Sequence, residues 1–372
     1  MSSWILDASL ARSAGTLHHT LGMLIAMEPL VGVDKITVLA APELEQVLPH
    51  SSFSLTTLAT REGLGRFIAL NRAIRSVTNN SAASAAMFQQ FAPERIKVPF
   101  VLRLTDAHLV EYGDTGATQQ YDSRVGRLGW SAKRFFFKRS AKRASTIICA
   151  TETLASSLKF VHPDIDPEKI KVANYGPSPV VDQNVRHSGS AGSRILTMHI
   201  RPHKNIEVIL RAMAQPAMED STLTILGRLT PSGSPYEVFI KNLIDELDIE
   251  RRVHFAGYQS DPEQVRESMM AHDVLVVPSK LESWSHGLIE GLAMGMPVVA
   301  SDISVHKELG SQGAWLFPVN SHISLAETLA NVCEDDSARQ SRIREGLSAC
   351  SEMNWDNYAA TCVEALRHAG GG

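Results

Sequence analysis

The sequence predicts an α/β protein built of two doubly wound parallel-sheet domains. Two features point there. Short runs of Val, Ile and Leu, suited to strands covered on both faces, alternate with amphipathic segments of helical length along the chain. That alternation breaks once, at the Ser- and Gly-rich stretch DQNVRHSGSAGS (182–193), and restarts beyond it. Domains over 1–182 and 194–352 are expected, joined by a linker at 183–193 and facing each other across a cleft. Ligand is expected in that cleft, where two sets of strand ends meet.

Composition narrows the class. A chain of 372 residues is long enough for two separate cores. Its 44% hydrophobic and 20% charged residues, with a formal net charge of −4, are an ordinary globular balance and give no reason to expect nucleic acid as a partner. Cys149, Cys333, Cys350 and Cys362 show no CxxC or metal-like spacing, which fits a reduced, cytoplasmic protein. The opening MSSWILDASLARSAG lacks the basic start and apolar core of a secretory signal. No apolar run approaches the roughly 20 residues of a membrane span.

In the first half, residues 4–8 read as a strand that runs into a loop around Gly15 and then a helix. A glycine at such a turn either lets a ligand approach the backbone or simply makes the turn tight. His18 and His19 lie at the helix start and read more simply as packed or solvated side chains than as catalysts. Residues 35–41 and 53–58 are strands, and 64–77 has helical spacing. Residues 81–91, rich in Ala and Met, read either as a helix or as a loop-flanked core segment. Residues 100–104 are a strand with Thr105, Asp106 and His108 at its end, where polar side chains meet ligands. The plainer reading is a helix cap by Asp106 beside a surface histidine. The segment SAKRFFFKRSAKR (131–143) holds six basic residues and three phenylalanines with no acid. It is either a crossover helix whose phenylalanines pack on the sheet, or a contact with an anionic membrane surface or an acidic acceptor. A strand at 146–150, a helix at 151–160 and a strand at 170–173 complete this half.

Beyond the linker, strands at 194–198, 221–226, 253–256, 273–277, 297–300 and 314–317 alternate with helices, the last of them at 355–368. The stretch 272–303 reads as strand, loop, helix, strand, with Ser285 as N-cap and Gly295 followed by Pro297 as the stop. Three chemical features converge at these strand ends. Arg201 and Lys204 precede a helix start, a combination suited to a diphosphate, since Arg grips in a bidentate way and Lys acts as a point charge. Gly227, Gly257 and Ser279 are small residues that let a nucleotide lie close to backbone. Glu282 and Glu290 are carboxylates suited to sugar or ribose hydroxyls.

RPHKN (201–205), LTILGR (223–228), VHFAGY (253–258) and LVVPSKLESWSHGLIEGLAMGMPVVASD (275–302) resemble the donor half of glycosyltransferase family 4, retaining enzymes of the GT-B fold with two Rossmann-like domains. The Glu-x7-Glu spacing of Glu282 and Glu290 is the most specific element. The resemblance covers the C-terminal half closely and the N-terminal half loosely. It implies a nucleoside-diphosphate sugar, a UDP- or GDP-sugar, as donor substrate, with no bound cofactor and no metal requirement. It implies a glycan, lipid-linked or small-molecule acceptor held by the first domain. Arg201 and Lys204 would hold the diphosphate, Glu290 the ribose, and Glu282 would lie by the transferred sugar. Ser285, His286, Gly287 and Leu288 would present backbone N–H groups, Tyr258 would flank the nucleotide with Gly227 and Gly257, and Gly15 would belong to the acceptor-side glycine loop. The order Asp106-Ala107-His108 departs from the family's His-Asp signature, and His286 replaces a usually apolar residue. The closing helix at 355–369 resembles a segment that returns to the first domain. A GT-B nucleotide-sugar epimerase and a non-catalytic nucleotide-sugar-binding protein are the alternatives.

Overall fold

The computed structural model describes residues 3–12, 14–31, 35–48, 53–58, 64–80, 82–111, 124–178, 180–182, 185–189, 192–227, 233–310 and 312–371. The chain divides into two compact units. The first holds the described residues up to Glu111, Leu128–Gly176 and Asn354 to the C-terminus. The second holds Pro177–Met353 together with residues 124–127. The crossing from one unit to the other therefore falls at Gly176–Pro177, ahead of the Ser- and Gly-rich stretch expected as linker. The described part of that stretch is tied to the second unit. His187 N–H donates to the Met294 carbonyl at 2.8 Å, and its Nε2 donates to the His272 carbonyl at 2.7 Å.

In the first unit, β1 (Ser3–Ala8), β2 (Lys35–Ala40), β3 (Ser54–Thr57), β4 (Ala85–Gln89), β5 (Phe100–Leu104), β6 (Thr146–Cys149) and β7 (Ile170–Val172) form one parallel sheet in the order 3-2-1-4-5-6-7. The helices are α1 (Ala14–Val31), α2 (Pro42–Val47), α3 (Leu64–Asn80), α4 (His108–Glu111), α5 (Arg124–Arg143) and α6 (Glu152–Val161). The stretch that read ambiguously at 81–91 contains β4. Every residue of β4 is buried, because it lies between β1 and β5 with both faces covered, so it shows no polar alternation. Gly15 is not in a loop. It lies in the first turn of α1, and the turn out of β1 is made earlier, where Asp7 Oδ1 accepts from Ser9 N at 3.0 Å and Ser9 Oγ at 2.6 Å. In α5, Phe137 is fully buried, whereas Phe135 is 62% and Phe136 36% exposed, so one phenylalanine of the three packs as a crossover helix requires.

The second unit has β8 (Arg194–Met198), β9 (Thr222–Leu226), β10 (Val253–Gly257), β11 (Val274–Val277), β12 (Val298–Ser301) and β13 (Ala314–Phe317), parallel in the order 10-9-8-11-12-13. Its helices are α7 (Ile206–Met213), α8 (Pro235–Glu246), α9 (Pro262–Met270), α10 (His286–Ala293), α11 (Ser304–Gly310), α12 (His322–Glu334) and α13 (Asp336–Ser351). One core joins Ile195, Ile225 and Val276 of the sheet to Ile209 of α7, Ile240 of α8 and Leu325 of α12. Gly295 stops α10 as its position suggested, at φ 72°, a conformation that favours glycine.

The last helix, α14 (Trp355–Ala369), belongs to the first unit. Its anchor is a buried guanidinium. Arg103, 1% exposed, donates from Nε to Tyr358 Oη at 2.8 Å and from Nη2 to His19 Nδ1 at 3.1 Å. Among the described residues it makes no ion pair, so these neutral acceptors and the Tyr358 ring hold the charge. Tyr175 stacks on both His19 and Trp355, at 5.2 and 5.6 Å between ring centroids. His19 is thus a packed structural residue. Among the described residues no helix is long and apolar enough to cross a membrane.

Candidate donor-sugar site

In the second unit the chain leaves β8 through a 3₁₀ turn at Pro202–Lys204 and enters α7 by way of Asn205, held at φ 56°. That turn delivers Lys204 to the loop after β11. Lys204 Nζ donates to Glu282 Oε1 at 2.5 Å, and Ser279 Oγ donates to the same oxygen at 2.7 Å. A backbone bond from Lys280 N to the His203 carbonyl, 2.8 Å, locks the two loops together. The pair is sheltered: the Lys204 side chain is 19% and that of Glu282 8% exposed. Burial by itself favours the protonated acid, but Lys204, His306 and the Ser279 hydroxyl outweigh it and hold Glu282 below the usual carboxylate range. Arg201 lies exposed just before the turn.

The neighbouring strand ends are bare of side chains. Gly227 has φ 134°, and a Cβ there would stand 3.3 Å from His199 Cα and Ile200 N. Only glycine fits that approach. Gly227 N donates to the Gly257 carbonyl at 2.8 Å; Gly257 has φ 74° with open space beside it, and Tyr258 is 41% exposed. Arg228 of the LTILGR motif falls outside the described residues.

Glu290, in α10, has a different environment. It is 7% exposed and accepts from Ser178 Oγ at 2.5 Å. Burial raises its pKa, and the serine hydroxyl opposes that only in part. The two glutamates of the Glu-x7-Glu pair are therefore pushed in opposite directions, and they share no hydrogen-bond partner among the described residues.

Ser285 stands at the N-cap position of α10, but its side chain makes no cap. Its Oγ is 3.1 Å from His306 Nε2 instead. His286 and Gly287 open the helix half-buried, and Leu288 is buried. In the first unit, Asp106 Oδ1 accepts from the His108 backbone N at 3.0 Å and from its Nδ1 at 2.9 Å, and the imidazole stacks on Trp130 at 5.3 Å. Asp106 does act as a local cap, and His108, with its side chain 13% exposed, is not a surface histidine. Among the described residues no group of three or more His, Cys, Asp or Glu is placed to hold a metal ion.

Sequence reasoning missed several members of this constellation. Asn205 closes the RPHKN motif, yet its amide Nδ2 and Oδ1 are buried without a partner among the described residues. His199 follows β8 directly at φ 67°; desolvation, with Lys204 and Arg201 adding repulsion, lowers its pKa to about 4. It is neutral at pH 7, so the positive charge here belongs to Lys204 and Arg201. Ser178 and His306 carry no local signal at all.

Two Rossmann-like parallel sheets, the second with a basic and acidic cluster at its strand ends, define a protein of the GT-B glycosyltransferase fold. Residues 195–348 match the family model described as glycosyl transferases group 1. The chain is 28% identical over 222 residues to the D-inositol 3-phosphate glycosyltransferase of Corynebacterium efficiens, a match covering 55% of this chain and 51% of that protein. It thus spans about half the length of the curated relatives it matches. The sucrose-phosphate synthase of Thermosynechococcus elongatus superimposes with a TM-score of 0.75 at 17% identity over 99% of both chains. Anabaena HepE, solved in complex with UDP-glucose, superimposes with a TM-score of 0.71 at 15% identity over 98% of this chain and 100% of its own.

Two predictions follow from the charges. Lys204→Ala leaves a buried carboxylate unpaired, which costs about 3 kcal/mol, and Lys204→Ala with Glu282→Gln recovers most of the lost melting temperature. Equal stability of the single and double variants in thermal melts contradicts this. For Glu290, whose folded pKa is raised, ionisation is disfavoured in the folded state, so it penalises the fold as pH rises through the ordinary carboxylate value to the raised one. Glu290→Gln should therefore melt higher than the parent at pH 7, with a smaller difference at pH 4. Calorimetric scans showing the difference constant or reversed refute the assignment.

Proposed function

We propose that the chain is a retaining glycosyltransferase that moves a sugar from a UDP- or GDP-sugar to a hydroxyl of a glycan, lipid-linked or small-molecule acceptor in polysaccharide or glycoconjugate synthesis. The observation that carries the reading is the sheltered Lys204–Glu282–Ser279 cluster, set between two strand ends of a sheet that matches a glycosyl transferase family model. A lysine held at 2.5 Å from a carboxylate is a cation already in place for a leaving diphosphate. The complex of HepE with UDP-glucose supports the donor class.

In this reading Lys204 and Arg201 neutralise the diphosphate, and the first-turn N–H groups of α10, from Ser285 through His286, Gly287 and Leu288, add to the anion's seat. Gly227 and Gly257 let the nucleotide lie against backbone beside Tyr258 and Ser279. Glu290 accepts from the ribose hydroxyls in competition with Ser178, and Glu282 accepts from the transferred sugar. The first unit takes the acceptor, with Asp106, His108 and the first turn of α1 at Gly15 on that side. The bond from the anomeric carbon to the diphosphate breaks, the acceptor oxygen bonds to that carbon on the same face, and the acceptor proton passes to the departing diphosphate. No side chain becomes covalently attached; orientation and charge stabilisation supply the rate. In a thermal-shift screen of UDP-, GDP- and ADP-sugars, a donor at 100 times its dissociation constant should add about 2.7 kcal/mol of stability. No shift with any of the three removes the donor assignment.

The reading includes a peripheral contact of α5 with an anionic membrane when the acceptor is lipid-linked. Leu128 and Phe135, seven residues apart on one side of α5, are 70% and 62% exposed, and Phe160 of α6 is 86% exposed. The segment 131–143 carries six basic residues and no acid, and among the described residues Lys138 and Lys142 pair with Asp164 and Arg139 pairs with Glu94. The segment itself is basic on a chain of net charge −4. The protein should float with vesicles containing phosphatidylglycerol and not with phosphatidylcholine alone, and Lys133, Arg134, Lys138 and Arg139 changed together to Gln should abolish flotation. Flotation unaffected by those changes, or absent in the parent, rejects the contact.

A further inference from the structure

His306 belongs to no motif, and it is fully buried behind the candidate donor site. Its Nδ1 lies 2.8 Å from the backbone carbonyl of Ser301, a group that only accepts. Nδ1 therefore carries the proton, and Nε2 is left as an acceptor. Ser285 Oγ, 3.1 Å from Nε2, is then the donor.

That bond explains an oddity at α10. A serine just before a helix ordinarily turns its oxygen back to accept from the second or third amide of the first turn. Thr151, Ser234, Ser321 and Asn354 all do so in this chain, accepting from Leu154, Glu237, Ser324 and Asn357. Ser285 occupies the same position before α10 and does not. Its hydroxyl is engaged by His306, and Gly287 and Leu288, the second and third residues of α10, receive no side-chain cap among the described residues. The same imidazole braces the strand ends. Ser301, to which it donates, gives its own hydroxyl to the Ser279 carbonyl, and Ser279 Oγ holds Glu282, the partner of Lys204.

We propose that His306 is a positioning residue of the donor site: by engaging the Ser285 hydroxyl it prevents Ser285 from capping α10 and keeps the first-turn amides available to the donor's diphosphate. This rests on the donor-site reading above. An N-terminus capped by its own serine has spent the N–H groups that an anion needs, whereas an uncapped one keeps both those groups and the helix dipole for the ligand. His306 touches neither nucleotide nor sugar. It acts through Ser285, and its effect is confined to the diphosphate part of the ligand.

The test is a pair of substitutions read by calorimetry with a nucleoside diphosphate and its nucleoside. UDP, GDP and ADP are first titrated into the wild-type chain, and the one that binds is compared with its nucleoside. His306→Leu fills the space of the ring but cannot accept from Ser285. It should raise the dissociation constant of the diphosphate about five- to tenfold, the scale of one helix cap, and leave that of the nucleoside unchanged. Adding Ser285→Ala removes the hydroxyl that would otherwise cap the helix, so the double variant should regain diphosphate affinity to within about threefold of wild type. A residue that only supports the fold predicts the reverse, since a second buried change adds to the damage of the first. Should His306→Leu fail to fold, as judged by its melting temperature, His306→Gln with and without Ser285→Ala serves for the same comparison, with weaker loss because the amide oxygen can still accept. Equal loss for diphosphate and nucleoside overturns the proposal, as does a double variant no better than the single. If wild type binds none of the three diphosphates, the donor-site reading itself falls and His306 loses this role with it.

Discussion

The buried contact of Lys204 with Glu282 is the interaction on which the second unit's chemistry depends. It joins the exit of β8 to the exit of β11 across 78 residues of chain, and it does so where solvent scarcely reaches. A lone lysine or glutamate at either position would shed its charge or force the loop open. Together with Ser279, which donates to the same carboxylate oxygen, the contact keeps Glu282 below the usual carboxylate range and holds two loops in one geometry. For the diphosphate proposed to bind there, the position of the lysine is already set, so little ordering would remain to be done on binding.

The two carboxylates of the Glu-x7-Glu pair illustrate how environment assigns work to identical side chains. Glu282 faces a cation and stays ionised easily. Among the described residues Glu290 faces only the Ser178 hydroxyl, and burial resists its ionisation. Such divergence of paired acids marks functional sites, where stability is surrendered for a group held ready for a ligand. The uncapped start of α10 and the unpartnered amide of Asn205 are of the same kind. Six other helices, α6, α8, α9, α12, α13 and α14, start with a side-chain cap, and beside them these two are departures from the rule that buried polar groups find partners.

The fold was legible because its signals are local. Parallel strands covered on both faces read as apolar runs, and helix stops such as Gly295 are visible in a few residues. Illegibility began where burial erased contrast. β4 reads AAMFQ, with a single polar residue at its end and no alternation to set its period apart from a helix, so its identity came from the pairing of Trp4–Leu6 on one side and Phe100–Arg103 on the other. A glycine near a strand end suggests that it makes the turn, but here Asp7 and Ser9 make it with side-chain bonds and Gly15 lies within α1. In α5 the triple phenylalanine gives no hint of which ring is inside, since three consecutive residues of a helix point in three directions and only the packing selects Phe137.

By itself the sequence determined two rounds of strand and helix alternation, the small residues at strand ends, the basic pair Arg201 and Lys204, and the spacing of Glu282 and Glu290, all of which lie within short windows. The tertiary structure alone decided which of those groups meet. Arg103 reaches Tyr358 across 255 positions, Ser178 reaches Glu290 across 112, and Ser285 reaches His306 across 21. Spacing along a chain restricts contacts only within a helix turn or between paired strands. Partners brought together by sheet order and loop closure leave no periodic trace, so the charge of each glutamate, the tautomer of His306 and the uncapped start of α10 became visible only once the chain was folded.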